Sequence, residues 1–195
     1  MLEYKRLKID ESAKSINPRD LPNDFCDEAC RIVDEFHRKT FNEKVEWMLY
    51  FDYATGEIIY CWKSENSNVE VDLDRTYLKH KRIASIHSHT KNLYSFPSPE
   101  NFDILENEFE DYEIVTSVDV FWTIEFKGNV DNVSRKDFQQ KIGEYMYSKM
   151  LSIGLENNPC DINIVTEKII GNYLLKEIDK DIQGINLILN KKEYD

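Results

Sequence analysis

A chain of 195 residues with a formal net charge of -12 is long enough for one domain that buries about 70% of its unfolded surface without a disulfide framework. The acidity excludes a general phosphate-backbone binder, which rests on clustered Lys and Arg, so no nucleic-acid partner is expected. The opening Met1-Leu2-Glu3-Tyr4-Lys5-Arg6 has no apolar signal core, no later run approaches the roughly 20 apolar residues of a membrane span, and with six glycines there is no Gly-rich phosphate loop, so the chain reads as cytoplasmic, with neither a membrane nor a nucleotide as an expected partner.

Taken in order, residues 1 to 18 are polar and irregular, with one short strand predicted at Tyr4 to Ile9. Leu21 to Phe41 turns helical: Pro22, Asn23 and Asp24 supply start signals, and Phe25, Ala29, Ile32, Val33 and Phe36 recur at helical spacing. Cys26 and Cys30, four apart on that helix, and the distant Cys61 and Cys160 read as reduced core thiols, with a metal site completed by His37 as the alternative. Val45 to Asp52 and Glu57 to Lys63, rich in β-branched and aromatic residues and joined by Ala54-Thr55-Gly56, predict a β-hairpin. A third strand is expected at Asn68 to Leu73, followed by a short segment at Thr76 to Lys81.

Ile83 to His87 is a short apolar run with the pattern of a buried strand, and it delivers His87 and His89 to its end. Two residues apart on extended backbone, the two imidazoles share one side. After a loop holding Tyr94, Phe96 and Pro97, Ser98-Pro99-Glu100-Asn101 has the chemistry of a helix start, with Ser as N-cap, Pro at the first helical position and Glu in the first turn. Tyr112 to Val118 and Val120 to Lys127 predict two further strands. A helix runs from Ser134 to near Gly154, another from Thr166 to Ile178, and Gly184 to Asn190 is apolar enough for either a strand or a short helix. There are no internal repeats and no clear linkers, so residues 1 to 195 are read as a single domain.

The His pair and an oxygen donor from the first turn of the following helix would give three protein ligands and leave a fourth position open, the arrangement of a catalytic zinc. Hydrolysis at such a site also needs a carboxylate that handles the proton of the attacking water. Glu46, a charged residue among Val45, Trp47 and Leu49 at the start of an apolar strand, is the candidate, against the plainer reading of a solvated strand end.

Glu46, then His87-Ser88-His89 41 residues on, then Pro97-Ser98-Pro99-Glu100-Asn101 resembles the JAB/MPN/JAMM zinc metalloprotease family, in which an early-strand Glu precedes H-[ST]-H-P and S-x-x-D. The likeness covers residues 21 to 128. It implies an α/β fold, a cytidine-deaminase-like mixed β-sheet flanked by helices; residues 129 to 195, outside the likeness, are read from their own helical spacing as an extra C-terminal helical extension. It also implies Zn2+ as cofactor, His87 and His89 as ligands, Glu46 as general acid/base and Ser98 as a donor to the oxyanion. The activity it implies is a peptidase or isopeptidase, deubiquitinase-like, whose partner is a protein or peptide substrate with an extended, ubiquitin-like tail. The alternative is a non-catalytic protein-binding module of the same fold with a degenerate metal site. Thr90 stands in place of the family's Pro, the loop before Ser98 is one residue longer, and Asn101 stands at the third ligand position, where the family has Asp. Glu100 and Asp103 are reserve oxygen donors, although helical phase turns Asp103 about 200° from Asn101, onto a polar face with Glu106, Asn107 and Glu110. Restoring the carboxylate with Asn101→Asp is expected to tighten zinc binding, since a charged oxygen replaces a neutral one.

Overall fold

The computed structural model of the chain describes residues 2–64, 78, 81–90, 95–98, 101, 110–126, 132–156, 162–176 and 187–194. Among the described residues it is a mixed α/β structure in which six strands form one sheet, flanked by helices. The N-terminal segment is a short helix, α1 (Leu2–Arg6), where a strand was expected. A single buried side chain decides this: the Tyr4 ring lies 5.8 Å from Phe36 and 6.2 Å from Trp47, with the Lys39 ammonium 4.8 Å above it. One turn of helix aims that ring into the core, and Glu3 at its start and Lys5 and Arg6 at its end complement the helix dipole.

Helix α2 (Asp27–Thr40) begins later than its start signals, because Cys26 is the cap: its Sγ accepts from the Ala29 N–H at 3.4 Å. Asp27 and Glu28 in the first turn and His37, Arg38 and Lys39 in the last suit the dipole. Its buried face, Ala29, Ile32, Val33 and Phe36, packs on Leu49, Phe51, Ala84, Ile86 and Ile114 of the sheet.

The hairpin is β1 (Trp47–Asp52) and β2 (Glu57–Lys63), antiparallel, with the chain reversing at residues 53–56. Gly56 takes φ +75° there, and its N–H and that of Thr55 both donate to the Asp52 carbonyl. This left-handed conformation is open to glycine at no steric cost. Strand β3 (Ile83–Ser88) pairs antiparallel with β1 and parallel with β4 (Glu110–Thr116), which pairs antiparallel with β5 (Val120–Phe126). Two helices, α3 (Asn132–Glu156) and α4 (Ile162–Lys176), precede a last strand, β6 (Leu187–Glu193), that adds antiparallel to β5. The sheet order is therefore β2-β1-β3-β4-β5-β6. The C-terminal segment, expected as a helical extension, also supplies an edge strand, so that residues 187 to 190 of the open Gly184 to Asn190 choice are strand, while residues 184 to 186 lie outside the described residues.

Strand alternation divides the sheet into two faces. Trp47, Leu49 and Phe51 of β1 lie with Ala84 and Ile86 under α2. The opposite face carries Met48 against His87 and Tyr50 against Ser85, and on β4 Glu113 and Val115. There Val115, Trp122 and Ile124 pack against Ile142 and Met146 of α3, Ile170, Tyr173 and Leu174 of α4, and Phe96. Glu110, read as part of a helical polar face, is the first residue of β4 and is buried. The strand expected at Asn68 to Leu73, the segment at Thr76 to Lys81 apart from Leu78 and Lys81, and the body of the helix after Ser98, with Glu100 and Asp103, lie outside the described residues. Among the described residues no helix is long and apolar enough to cross a membrane.

Candidate metal centre

Continuing the β1–β3 register, in which Met48 lies opposite His87, places Glu46 opposite His89 on the same face of the sheet. Two backbone ties hold this end together. The Trp47 N–H donates to Ser88 Oγ at 2.9 Å, and the His89 N–H donates to the Thr116 carbonyl at 2.7 Å, carrying the β3–β4 ladder past the end of the strand. Glu46 is itself anchored, its carbonyl accepting from the Ser64 N–H at 2.9 Å. The side chains that result are convergent: one donor atom each from Glu46, His87 and His89 lies within 4.8 Å of the others, a grouping that could hold a metal ion.

Glu46 Oε2 stands 3.3 Å from His87 Nε2. Donors bonded at about 2.1 Å to a tetrahedral zinc are about 3.4 Å apart, so this edge of the site has the right length without rearrangement. The imidazoles of His87 and His89 meet edge to face at 5.2 Å between centroids. His87 Nε2 is shielded from solvent and has no aligned hydrogen-bond partner among the described residues, so a metal bound there would displace no well-made hydrogen bond. Burial pushes the Glu46 carboxyl up, but its contact with His87 and the nearby His89 outweigh it and hold Glu46 below the ordinary glutamate value. An ionised carboxylate beside two imidazoles is a donor set suited to a divalent transition metal.

Ser98 and Asn101 form one turn, closed by the Asn101 N–H donating to the Ser98 carbonyl at 3.0 Å. Phe96 fixes it to the sheet, in the cluster around Trp122, and Pro97 beside it is buried. Asn101 Oδ1 accepts from the Ser98 N–H at 2.7 Å and from Ser98 Oγ at 3.0 Å, the back-reaching half of a capping box. The Ser98 hydroxyl proton is therefore directed at Asn101, and the Asn101 oxygen is turned away from the histidines. What faces His87 is Asn101 Nδ2, 2.7 Å from Nδ1 and thus on the opposite edge of the ring from Glu46.

The same Nδ2 donates to Glu113 Oε1 at 2.7 Å, and that oxygen lies 4.0 Å from His87 Nδ1. Glu113 is 3% exposed and is not among the residues expected at the site. The available signal was a carboxylate between Tyr112 and Ile114 on a strand too apolar to be solvated on both faces. The described cysteines are not in the grouping: Cys26, Cys30 and Cys61 are unbridged thiols, and His37, instead of completing a metal site with them, stacks on Tyr194 at 4.3 Å, while Cys160 lies outside the described residues. Compared with family models, with curated proteins and with solved structures, the chain matches none.

Proposed function

We propose that the chain is a zinc-dependent hydrolase of the JAB/MPN type that cleaves peptide or isopeptide bonds. The observation that carries this reading is the convergence of Glu46, His87 and His89 at ligand spacing on one sheet face. Zinc fits the mixed nitrogen and oxygen donors and, when bound with a fourth position open, supplies an acidified water and a Lewis acid for a carbonyl. The protein's own part is to hold the two imidazoles rigidly, by β3 and its bond to Thr116, and to present the ionised Glu46 carboxylate against them. Glu46 is read as the third ligand, because its distance from His87 equals a ligand-to-ligand edge. The family resemblance instead makes it the proton acceptor for the attacking water, and Glu46→Gln separates the two roles.

The substrate is proposed to be an extended protein tail, such as that of a ubiquitin-like protein. The test is a panel of ubiquitin-like fusions and short peptides, incubated with zinc-loaded protein and with a His87→Ala, His89→Ala variant. Cleavage by the first and not the second supports the reading. Metal binding without cleavage of any member leaves the non-catalytic binding module.

A further inference from the structure

The orientation of the Asn101 amide is fixed by its surroundings. A backbone N–H can only donate, so the atom 2.7 Å from the Ser98 nitrogen is the amide oxygen. The two amide protons must then leave from Nδ2, one towards Glu113 Oε1 and one towards His87 Nδ1, each at 2.7 Å. An imidazole nitrogen that receives a proton donor at that distance is the acceptor of the neutral ring, and the ring proton resides on the other nitrogen.

We propose that Asn101 and Glu113 are positioning residues that set the tautomer of His87, holding its proton on Nε2 where it faces Glu46. The proposal deepens the zinc reading, since the nitrogen that carries the proton is the one turned towards Glu46. A metal reaches that lone pair only by expelling the proton, and Nδ1, already facing an N–H, is poorly placed to receive it. The pair therefore restrains metal affinity at this site. It also changes the expectation for Asn101→Asp. A carboxylate at 101 would stand about 2.7 Å from that of Glu113, two like charges in a buried site that cannot both be comfortable. The isosteric inversion Asn101→Asp with Glu113→Gln keeps the contacts of position 101 with Ser98, His87 and position 113 and reverses this one polarity: the new amide at position 113 donates to the new carboxylate at position 101, that carboxylate accepts from His87 Nδ1–H, and the Nε2 lone pair is released.

The test begins with metal-free full-length protein, whose imidazole protonation is read by long-range proton–nitrogen correlation NMR, a measurement that does not depend on any metal or activity. Wild-type His87 is expected as the Nε2–H tautomer. In the double variant it is expected as the Nδ1–H tautomer, with Zn2+ bound about tenfold tighter or more, the scale of lost or gained ligand-orienting partners, while Asn101→Asp alone gains no such tightening. A wild-type His87 protonated on Nδ1 overturns the proposal, and so does a single Asn101→Asp variant that binds Zn2+ as tightly as the double variant. If the tautomers are as stated and no variant binds Zn2+, the positioning role stands and the zinc reading fails. The wild-type spectrum alone decides the proposal if the double variant does not fold.

Discussion

Lowering the pH should destabilise this protein through His37 of α2, which is not among the candidate metal ligands. His37 is 1% exposed, stacked 4.3 Å from Tyr194 and edge to face with Phe41 at 5.7 Å. Its Nδ1 lies 3.3 Å from the Tyr194 hydroxyl, which also donates to the Ser117 carbonyl. Burial lowers its pKa from 6.5 to about 4, the charge of Arg38 adds to that, and the Lys14 backbone opposes it weakly. Protonation is thus penalised only in the folded state, so the stabilisation is complete above about pH 6.5 and is lost as the pH falls towards 4. At about 1.4 kcal/mol per unit, the difference reaches about 3 kcal/mol at pH 4. The assay is urea unfolding of wild type and His37→Gln at several pH values, which cancels the other titrating groups. The stability gap between the two should shrink by about 3 kcal/mol from pH 7 to pH 4. A change below about 1 kcal/mol would refute the reasoning.

Glu46→Gln should weaken zinc binding by about tenfold or more, since a neutral amide replaces a ligand carboxylate; calorimetric titration measures it, and undiminished affinity with lost hydrolysis reassigns Glu46 to proton transfer. Gly56→Ala should cost about 1–3 kcal/mol in chemical denaturation, because φ is +75° there and a Cβ would run into the Glu28 side chain; an unchanged midpoint contradicts the turn geometry. Phe36→Ala, which empties the centre of the α2 face at 0% exposure, should cost about 3–5 kcal/mol by the same assay, and a loss under about 1 kcal/mol would show that the cluster is not packed as described.

Much of the sheet was legible because its signals were local. The hairpin follows from β-branched and aromatic runs around Gly56, and the His87 strand from an apolar run with polar flanks. Legibility failed where the deciding contact is distant in sequence. Residues 4 to 9 look like an irregular strand until Tyr4 finds Phe36 and Trp47. The apolar run at Leu187 has no readable period, and only the open edge of β5 makes it a strand. At the candidate site, Glu46, His87 and His89 could be matched by spacing, and the structure brings them together. Asn101 could be matched to a position but not to an orientation, which Ser98 and Glu113 set. Glu113 gives only the weak signal of a carboxylate between Tyr112 and Ile114, because the role of a single buried carboxylate in a strand is recognised by what it touches.

The most direct measurement of the central claim is zinc titration of metal-free wild type beside the His87→Ala, His89→Ala variant, with bound metal counted by elemental analysis. A site built from Glu46, His87 and His89 predicts one zinc per wild-type chain and none above background in the variant. Equal metal content in the two, whether one per chain or only a trace, would contradict it.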